Sequence, residues 1–444
     1  MKPNILVILI DSLKADHCYG KSKTCQTPNL DSMIKDGTYF NQAISSSDYT
    51  ISGYGSIFTS LYPVNAGKKG VSYHKLFSKV PNYITHLKKH GYHTLATMDS
   101  NLLKFGFSEY FENTDLGYDR TTTGLFEGLE EQIMEKIRTV KNQEPWFYFI
   151  HLDDLHIPIR LPEQFMNKKY SERYNFVVEK VDSFLGNILK QIDLEKTLVV
   201  FTADHGDYIL SADDSKKKSI SNTVKSKMRQ KISHKTYDYF SSIKRNSQRK
   251  IKYAVAKSSL EKRAIDTRTS QKRFLFDDLV HIPLLFFGHG ISNNGIINDL
   301  VRSVDIFPTI CELIEVPDTH KNIDGRSLYP VMNGEKIKEL PVYLENTIFV
   351  TDQESPQPCV GIRTSKLKYF RSLDNPNDEI HLYDLVNDPL EENNIAEINI
   401  KLVNEMEQIL VKIRKELDRK FEAPELSKED EKKIEAELKK LGYI

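Results

Sequence analysis

Cysteine is scarce in this 444-residue chain. The four, Cys18, Cys25, Cys311 and Cys359, are scattered without metal-binding spacing. That excludes a disulfide framework and fits a reducing compartment. Long apolar runs are missing as well. The longest near the start covers residues 5–10, far short of the ~20 that cross a bilayer. It follows only Lys2 and leads to no small-residue cleavage site, so it does not read as a secretory leader and the expected location is cytoplasmic. Net charge is also absent, because 62 Lys/Arg balance 62 Asp/Glu. No internal repeat is present.

The composition that remains is 39% hydrophobic and 28% charged, the range of soluble globular proteins. The length allows one large domain and a smaller one. Charge is neutral only in sum. Residues 216–273 hold 19 Lys/Arg against 3 Asp/Glu, a local excess of +16 on an otherwise acidic chain. The stretch from about 212 to 271 reads as an insertion between core elements. It is either a solvated protrusion or a surface that draws a polyanion or a membrane. Tyr237, Tyr239, Phe240 and Tyr253 are interleaved in it, but no nucleic-acid-binding signature is.

Apolar, β-branched runs at 4–10, 146–152, 197–202 and 282–287 read as buried strands, with 94–98 as another. Helices are predicted after Thr27-Pro28 with Asn29 or Asp31 as cap, around 57–61, over 83–90, and from Pro308 onward. This alternation predicts an α/β fold with a mostly parallel central sheet sandwiched by helices. Short pieces at 342–345, 360–364, 368–372 and 381–384 predict a small antiparallel sheet, with a helix over 398–417 behind it. The expected organisation is a catalytic domain over 1–335, a small subdomain over 336–420 and a charged helical tail over 421–444.

In parallel sheets ligands sit beyond the carboxyl ends of the strands. Asp11, His151 and Asp204 all occupy such positions. Asp11 either caps the next helix or faces a site. Asp204-His205-Gly206-Asp207 offers hard oxygen and imidazole nitrogen to a divalent cation, or is an ordinary loop. Thr50, in Ser47-Asp48-Tyr49-Thr50-Ile51-Ser52-Gly53, is either a helix cap or a hydroxyl nucleophile activated by a metal. The roles are compatible, since a helix N-terminus favours an anion in front of it.

Taken together, these segments resemble the alkaline phosphatase/sulfatase superfamily over most of the chain. The resemblance implies Asp11, Thr50, Asp204 and His205 as metal ligands and Thr50 as nucleophile. His156-Ile157-Pro158 matches a family His-x-Pro whose histidine reaches the transferred group or the leaving oxygen, the place of a general acid. His151 is then a core residue or a substrate contact. Lys272, ahead of Phe274-Leu275-Phe276-Asp277-Asp278, matches a lysine that touches the anionic ester, and Arg273 is an equal candidate. Asp277 and Asp278 face the site or cap a helix, and His281 reads as structural. The segments Ser303-Val304-Asp305, Asp324-Gly325-Arg326 and Leu382-Tyr383-Asp384 read as scaffold.

Three departures matter. Sulfatases carry Cys or Ser, inside Cys/Ser-x-Pro-x-Arg, where this chain has Thr50. They carry a second Asp where Ser12 stands. They continue into Gly-Lys-Trp-His-Leu-Gly where this chain reads Met98-Asp99-Ser100-Asn101-Leu102. The departures imply transfer of a phosphoryl-type group from phosphate esters through Thr50, as in lipoteichoic acid synthases and phosphoethanolamine transferases. Zinc or manganese suits the mixed ligand set, with calcium or magnesium as second choices. The alternatives are a sulfatase with an unmodified hydroxyl nucleophile and a non-catalytic anion-binding protein. The implied partner is an anionic ester, small or polymeric.

Overall fold

The computed structural model describes residues 2–66, 82–103, 107–209, 253–254, 256, 258–270, 274–318, 320, 322–346, 358–418 and 432. Strand β1 (Asn4–Ile10) lies inside a nine-stranded sheet, and all seven of its residues are buried. A strand with both faces covered needs no polar alternation, hence its continuous apolar run. β1 pairs in parallel with β5 (Trp146–Leu152) on one side and β6 (Thr197–Ala203) on the other. Beyond β5 come β3 (His93–Asp99) and the two-residue β4 (Gly117–Tyr118), both parallel.

The other flank is mixed. β8 (Leu284–Gly288) runs antiparallel to β6, and β2 (Thr38–Ile44) antiparallel to β8. β2 also takes β7 (His281–Ile282) antiparallel and β9 (Gly295–Arg302) parallel. Helix α1 (Pro28–Asp36) packs on the helix Tyr170–Leu189, while α2 (Thr50–Thr59) packs on the helices Ile306–Leu313 and Tyr83–Lys89. The expected α/β architecture is the one observed.

Its details differ at one cap. Neither Asn29 nor Asp31 caps α1. Asp182, from the helix Tyr170–Leu189, accepts from the Leu30 amide at 2.7 Å and from Asn29 Nδ2 at 2.9 Å. A carboxylate from a neighbouring helix satisfies the orphan N–H, and sequence proximity cannot reveal it.

The second sheet is β10 (Val342–Glu345), β11 (Cys359–Arg363), β12 (Leu367–Ser372) and β13 (His381–Asp384), all antiparallel, with the helix Ile400–Glu416 against it. It shares a hydrophobic cluster with Phe274, Phe276, Val280, Ile44 and Val304 of the larger body. A buried ion cluster reinforces the joint. Asp277 pairs with Arg363 at 3.1 Å and with Lys368, and Lys368 reaches Glu391 at 3.0 Å. Of the basic insertion, residues 259–270 form the helix Ser259–Ser270. Most of the rest, Lys272 and Arg273 included, lies outside the described residues, as does the expected tail apart from residue 432.

Candidate active site

Register builds the site. Ile10 stands level with Leu152 on one side and Ala203 on the other. One residue further on, Asp11 and Asp204 leave the sheet side by side at its carboxyl edge. Both are buried, Asp204 completely. The Asp204 turn is held from two directions. Ser45, just after β2, donates to the Asp204 carbonyl at 2.5 Å, and the Gly206 amide donates to the Leu279 carbonyl at 2.7 Å. Gly206 is required there, because a Cβ would stand 2.3 Å from the Asp278 carbonyl oxygen.

α2 begins at Thr50, and Tyr49 gives its first turn no side-chain cap. The positive end of the helix dipole therefore lies beside Asp11. Thr50 Oγ1 lies 3.3 Å from Asp11 Oδ2 and 3.1 Å from His205 Nε2. His205 Nε2 is in turn 3.6 Å from Asp204 Oδ2, and its Nδ1 donates to the Gly206 carbonyl at 2.8 Å. That bond leaves Nε2 as the nitrogen aimed into the site.

Ser12 occupies the place of the missing second carboxylate. Its backbone has φ 62°, uncommon for a non-glycine residue. The twist lets its amide approach Asp204 Oδ1 at 3.3 Å while its hydroxyl donates to Asp11 Oδ1 at 2.7 Å. Ser12 thus fixes the two carboxylates relative to each other.

The electrostatics divide those carboxylates. Burial opposes charge on Asp11, yet the His156, His151 and His205 rings hold it well below the usual carboxylate range. Burial and the neighbouring Asp11 charge push Asp204 up. Burial alone would lower His205, but Asp204 and Asp11 outweigh it and push it up to about 9.

This arrangement fits a divalent cation. Oxygens of Asp11 and Asp204 and a nitrogen of His205 lie within 4.8 Å of one another. Asp204 Oδ2 is buried without a hydrogen-bond partner. A buried carboxylate oxygen left so is costly unless something cationic takes it up.

His151, expected near substrate, is 1% exposed and stands 3.6 Å from Asp11 Oδ2, with its ring edge-on to Tyr54. His156 is more open. Its Nδ1 receives Arg120 Nη2 at 2.9 Å and also lies 2.8 Å from the Ile157 carbonyl, two contacts that want opposite protonation at that nitrogen. Asp277 and Asp278 turn away from the metal ligands. The first serves the ion cluster with the second sheet, and the second holds Lys14 at 2.8 Å and Arg263 at 3.3 Å. His281 bonds the Asn41 carbonyl.

Sequence reasoning missed Ser45, Lys14 and Arg120. No local pattern marks them, because Asp204, Asp278 and Asp153, which they respectively meet, are brought to them by strand order.

The family model for sulfatases matches residues 3–316. The chain belongs to the sulfatase family. A second model, the C-terminal region of N-sulphoglucosamine sulphohydrolase, matches residues 266–422. Arylsulfatase K of Canis lupus familiaris is 31% identical over 139 residues, 30% of this chain and 25% of that protein. N-acetylgalactosamine-6-sulfatase of Homo sapiens is 25% identical over 267 residues, 47% of this chain and 51% of that one. The chain thus spans about half or less of the length of the curated relatives it matches. Among solved structures, a 2-O GAG sulfatase superposes with TM-score 0.66 at 18% identity, covering 94% of this chain and 93% of that one. The phosphonate monoester hydrolase of Agrobacterium radiobacter superposes with TM-score 0.65 at 16% identity, covering 94% and 96%. At such identities the likeness is one of fold. Membership places the chain in the expected superfamily of hydrolases. Among the described residues, no helix is long and apolar enough to cross a membrane.

Proposed function

We propose that this chain is a metal-dependent ester hydrolase that passes a tetrahedral oxyanion group to the unmodified hydroxyl of Thr50 and then to water. The relatives favour a sulfate ester, the alternative raised from the sequence. The carrying observation is Thr50 Oγ1 at the first residue of α2, within 3.3 Å of Asp11 and 3.1 Å of His205.

In this reading Asp11, Thr50, Asp204 and His205 hold the cation. When bound, it lowers the hydroxyl pKa and offsets charge on the transferred group. Thr50 would release its proton to solvent as the cation is held, while Asp11 Oδ2, 3.3 Å away, stays ionised and keeps Oγ1 oriented. A bond forms from Oγ1 to sulfur, the sulfur–oxygen bond to the leaving alcohol breaks, and His156 returns a proton to that alcohol. Leading amides of α2 face the non-bridging oxygens. His151 keeps Asp11 oriented rather than touching substrate. Zinc and manganese suit the mixed donors better than calcium or magnesium.

A phosphate or phosphodiester substrate is the second reading, and residue 50 itself favours it. A threonine lacks the convertible side chain of Cys/Ser-x-Pro-x-Arg, and a plain alkoxide serves phosphoryl transfer well. The basic run at 216–273 supports an anionic polymer as substrate, and one solved relative is in complex with a neocarrahexaose.

Metal-loaded protein assayed on p-nitrophenyl sulfate, p-nitrophenyl phosphate, bis-p-nitrophenyl phosphate and a phenylphosphonate monoester tests these readings. Sulfate-ester turnover lost in Thr50→Ala supports the first. Phosphate-ester turnover alone moves the assignment to the second. No turnover, with retained binding of sulfate, leaves a non-catalytic anion-binding protein.

A further inference from the structure

The site described so far is rich in negative charge. Asp11, Asp204, Asp153 and Asp99 are all buried at the carboxyl edge of the sheet or just beyond it. An anionic ester needs a cation from the chain there besides any metal. Lys14 is engaged by Asp278 at 2.8 Å and Asp16 at 3.2 Å. The segment at the end of β3, Met98-Asp99-Ser100-Asn101, supplies no cationic side chain.

The neighbouring strand does. β4 pairs in parallel with β3, with Asp99 level with Tyr118. The chain therefore leaves β4 at the same carboxyl edge, and Arg120 follows two residues later. Its side chain is only 13% exposed. Arg120 Nε stands 2.8 Å from Asp153 Oδ2, a carboxylate 2% exposed. Arg120 Nη2 stands 2.9 Å from His156 Nδ1. Tyr118 completes the mount, since its hydroxyl donates to Asp153 Oδ1 at 2.9 Å. The guanidinium is thus held against the histidine assigned to the leaving oxygen, by a carboxylate two residues from His151.

We infer that Arg120 is a specificity-determining residue that grips the oxyanion of the ester, supplying from β4 the cationic donor that the end of β3 lacks. This rests on the proposed role of Thr50. A planar guanidinium presents paired N–H donors at a spacing that matches two oxygens of a sulfate or phosphate. The ion pair with Asp153 and the contact with His156 hold the side chain in place before substrate arrives, so little side-chain entropy is lost on binding.

The competing role is structural, with Arg120 merely neutralising Asp153. A double variant separates the two. Arg120→Gln alone leaves a buried carboxylate unpaired. Arg120→Gln combined with Asp153→Asn removes that defect while still lacking the cation. Wild type, both of these proteins and Arg120→Lys are assayed on p-nitrophenyl sulfate and p-nitrophenyl phosphate, with inorganic sulfate and phosphate as competitive inhibitors. The double variant is expected to regain the wild-type melting temperature yet keep KM and both inhibition constants raised by roughly 10- to 100-fold, the range for a lost charge-assisted hydrogen bond. Arg120→Lys keeps the charge and should fall between. Wild-type KM in the double variant or in Arg120→Gln overturns the inference and leaves the proposed function standing. If no ester is turned over but calorimetry shows sulfate or phosphate binding that the double variant loses, the inference stands and the proposed chemistry fails. A wild-type protein that binds neither anion and turns over neither ester sinks both.

Discussion

Gly53 lies directly against the backbone of Asp204: a Cβ on Gly53 would stand 3.0 Å from the Asp204 carbonyl oxygen. That contact sets how closely the start of α2 approaches the metal-ligand turn. Gly53→Ala should push the helix back by a few tenths of an ångström and carry Thr50 with it. Misplacement of a reacting group by about 1 Å costs on the order of 100-fold, so a loss of about 10-fold in kcat is expected for this smaller shift. Overpacking should lower stability by about 1–3 kcal/mol. Steady-state kinetics and urea unfolding read the two effects, and unchanged kcat would mean that the helix absorbs the methyl without moving Thr50.

Thr50→Ala should lower kcat by on the order of 10⁶-fold, the scale for removing a nucleophile that works as part of a unit. Thr50→Ser keeps the hydroxyl and should retain measurable turnover. Mass spectrometry of quenched wild-type reactions should find the added group on the peptide containing Thr50. A group found on another residue would move the nucleophile.

Cation binding should release protons. His205 must be neutral and both carboxylates ionised to act as ligands. In the metal-free protein the Asp204 and Asp11 charges push His205 up to about 9, which favours its protonated form at neutral pH, and Asp204 is pushed up as well. Titration calorimetry with zinc or manganese, in buffers of differing ionisation enthalpy, should show about one proton or more released per ion near pH 7. Affinity should weaken as pH falls. Binding without proton release would place the ion away from His205.

Asp154 gives a stability test separate from catalysis. Burial, and then the Asp153 charge, push its carboxyl up to about 7 from an ordinary value of 3.8. Above 3.8 the unfolded chain sheds this proton while the folded chain keeps it. The contribution to stability is therefore full at low pH and falls as pH rises through 7. Asp154→Asn should flatten that decline, by on the order of 4 kcal/mol across the window. Urea unfolding from pH 4 to pH 8 reads the difference in slope, and parallel profiles would show that Asp154 ionises normally.

The legibility of the chain followed the range of its interactions. β1, β5 and β6 are flanked on both sides and covered on both faces, so their sequences are continuous apolar runs with chemistry beginning at the next residue. Asp11, Asp204 and His205 were visible for that reason. The strands of the second sheet were placed to within one residue because each is a short apolar or aromatic run bounded by polar residues. β2 was not read as a strand. Asn41 and Gln42 interrupt its apolar pattern, and its pairing partners lie more than two hundred residues later. The helices Leu129–Val140 and Tyr170–Leu189 also went unread, although Leu129, Ile133, Ile137 and Val140 carry helical spacing. Arg120 had no signal of its own, since only the adjacency of β3 and β4 brings it to the site.

The position of β1 has a consequence for synthesis. The strand leaves the ribosome well before both of its neighbours, β5 and β6. Until residue 203 has emerged, an apolar ribbon with one or both hydrogen-bonding edges bare must be kept from other chains. At about 5–20 residues per second that exposure lasts roughly ten to forty seconds. Asp11 and Thr50 wait through the same interval for Asp204 and His205. The nascent protein should therefore depend on chaperones that shield β1, and become competent for metal only after β6 has docked.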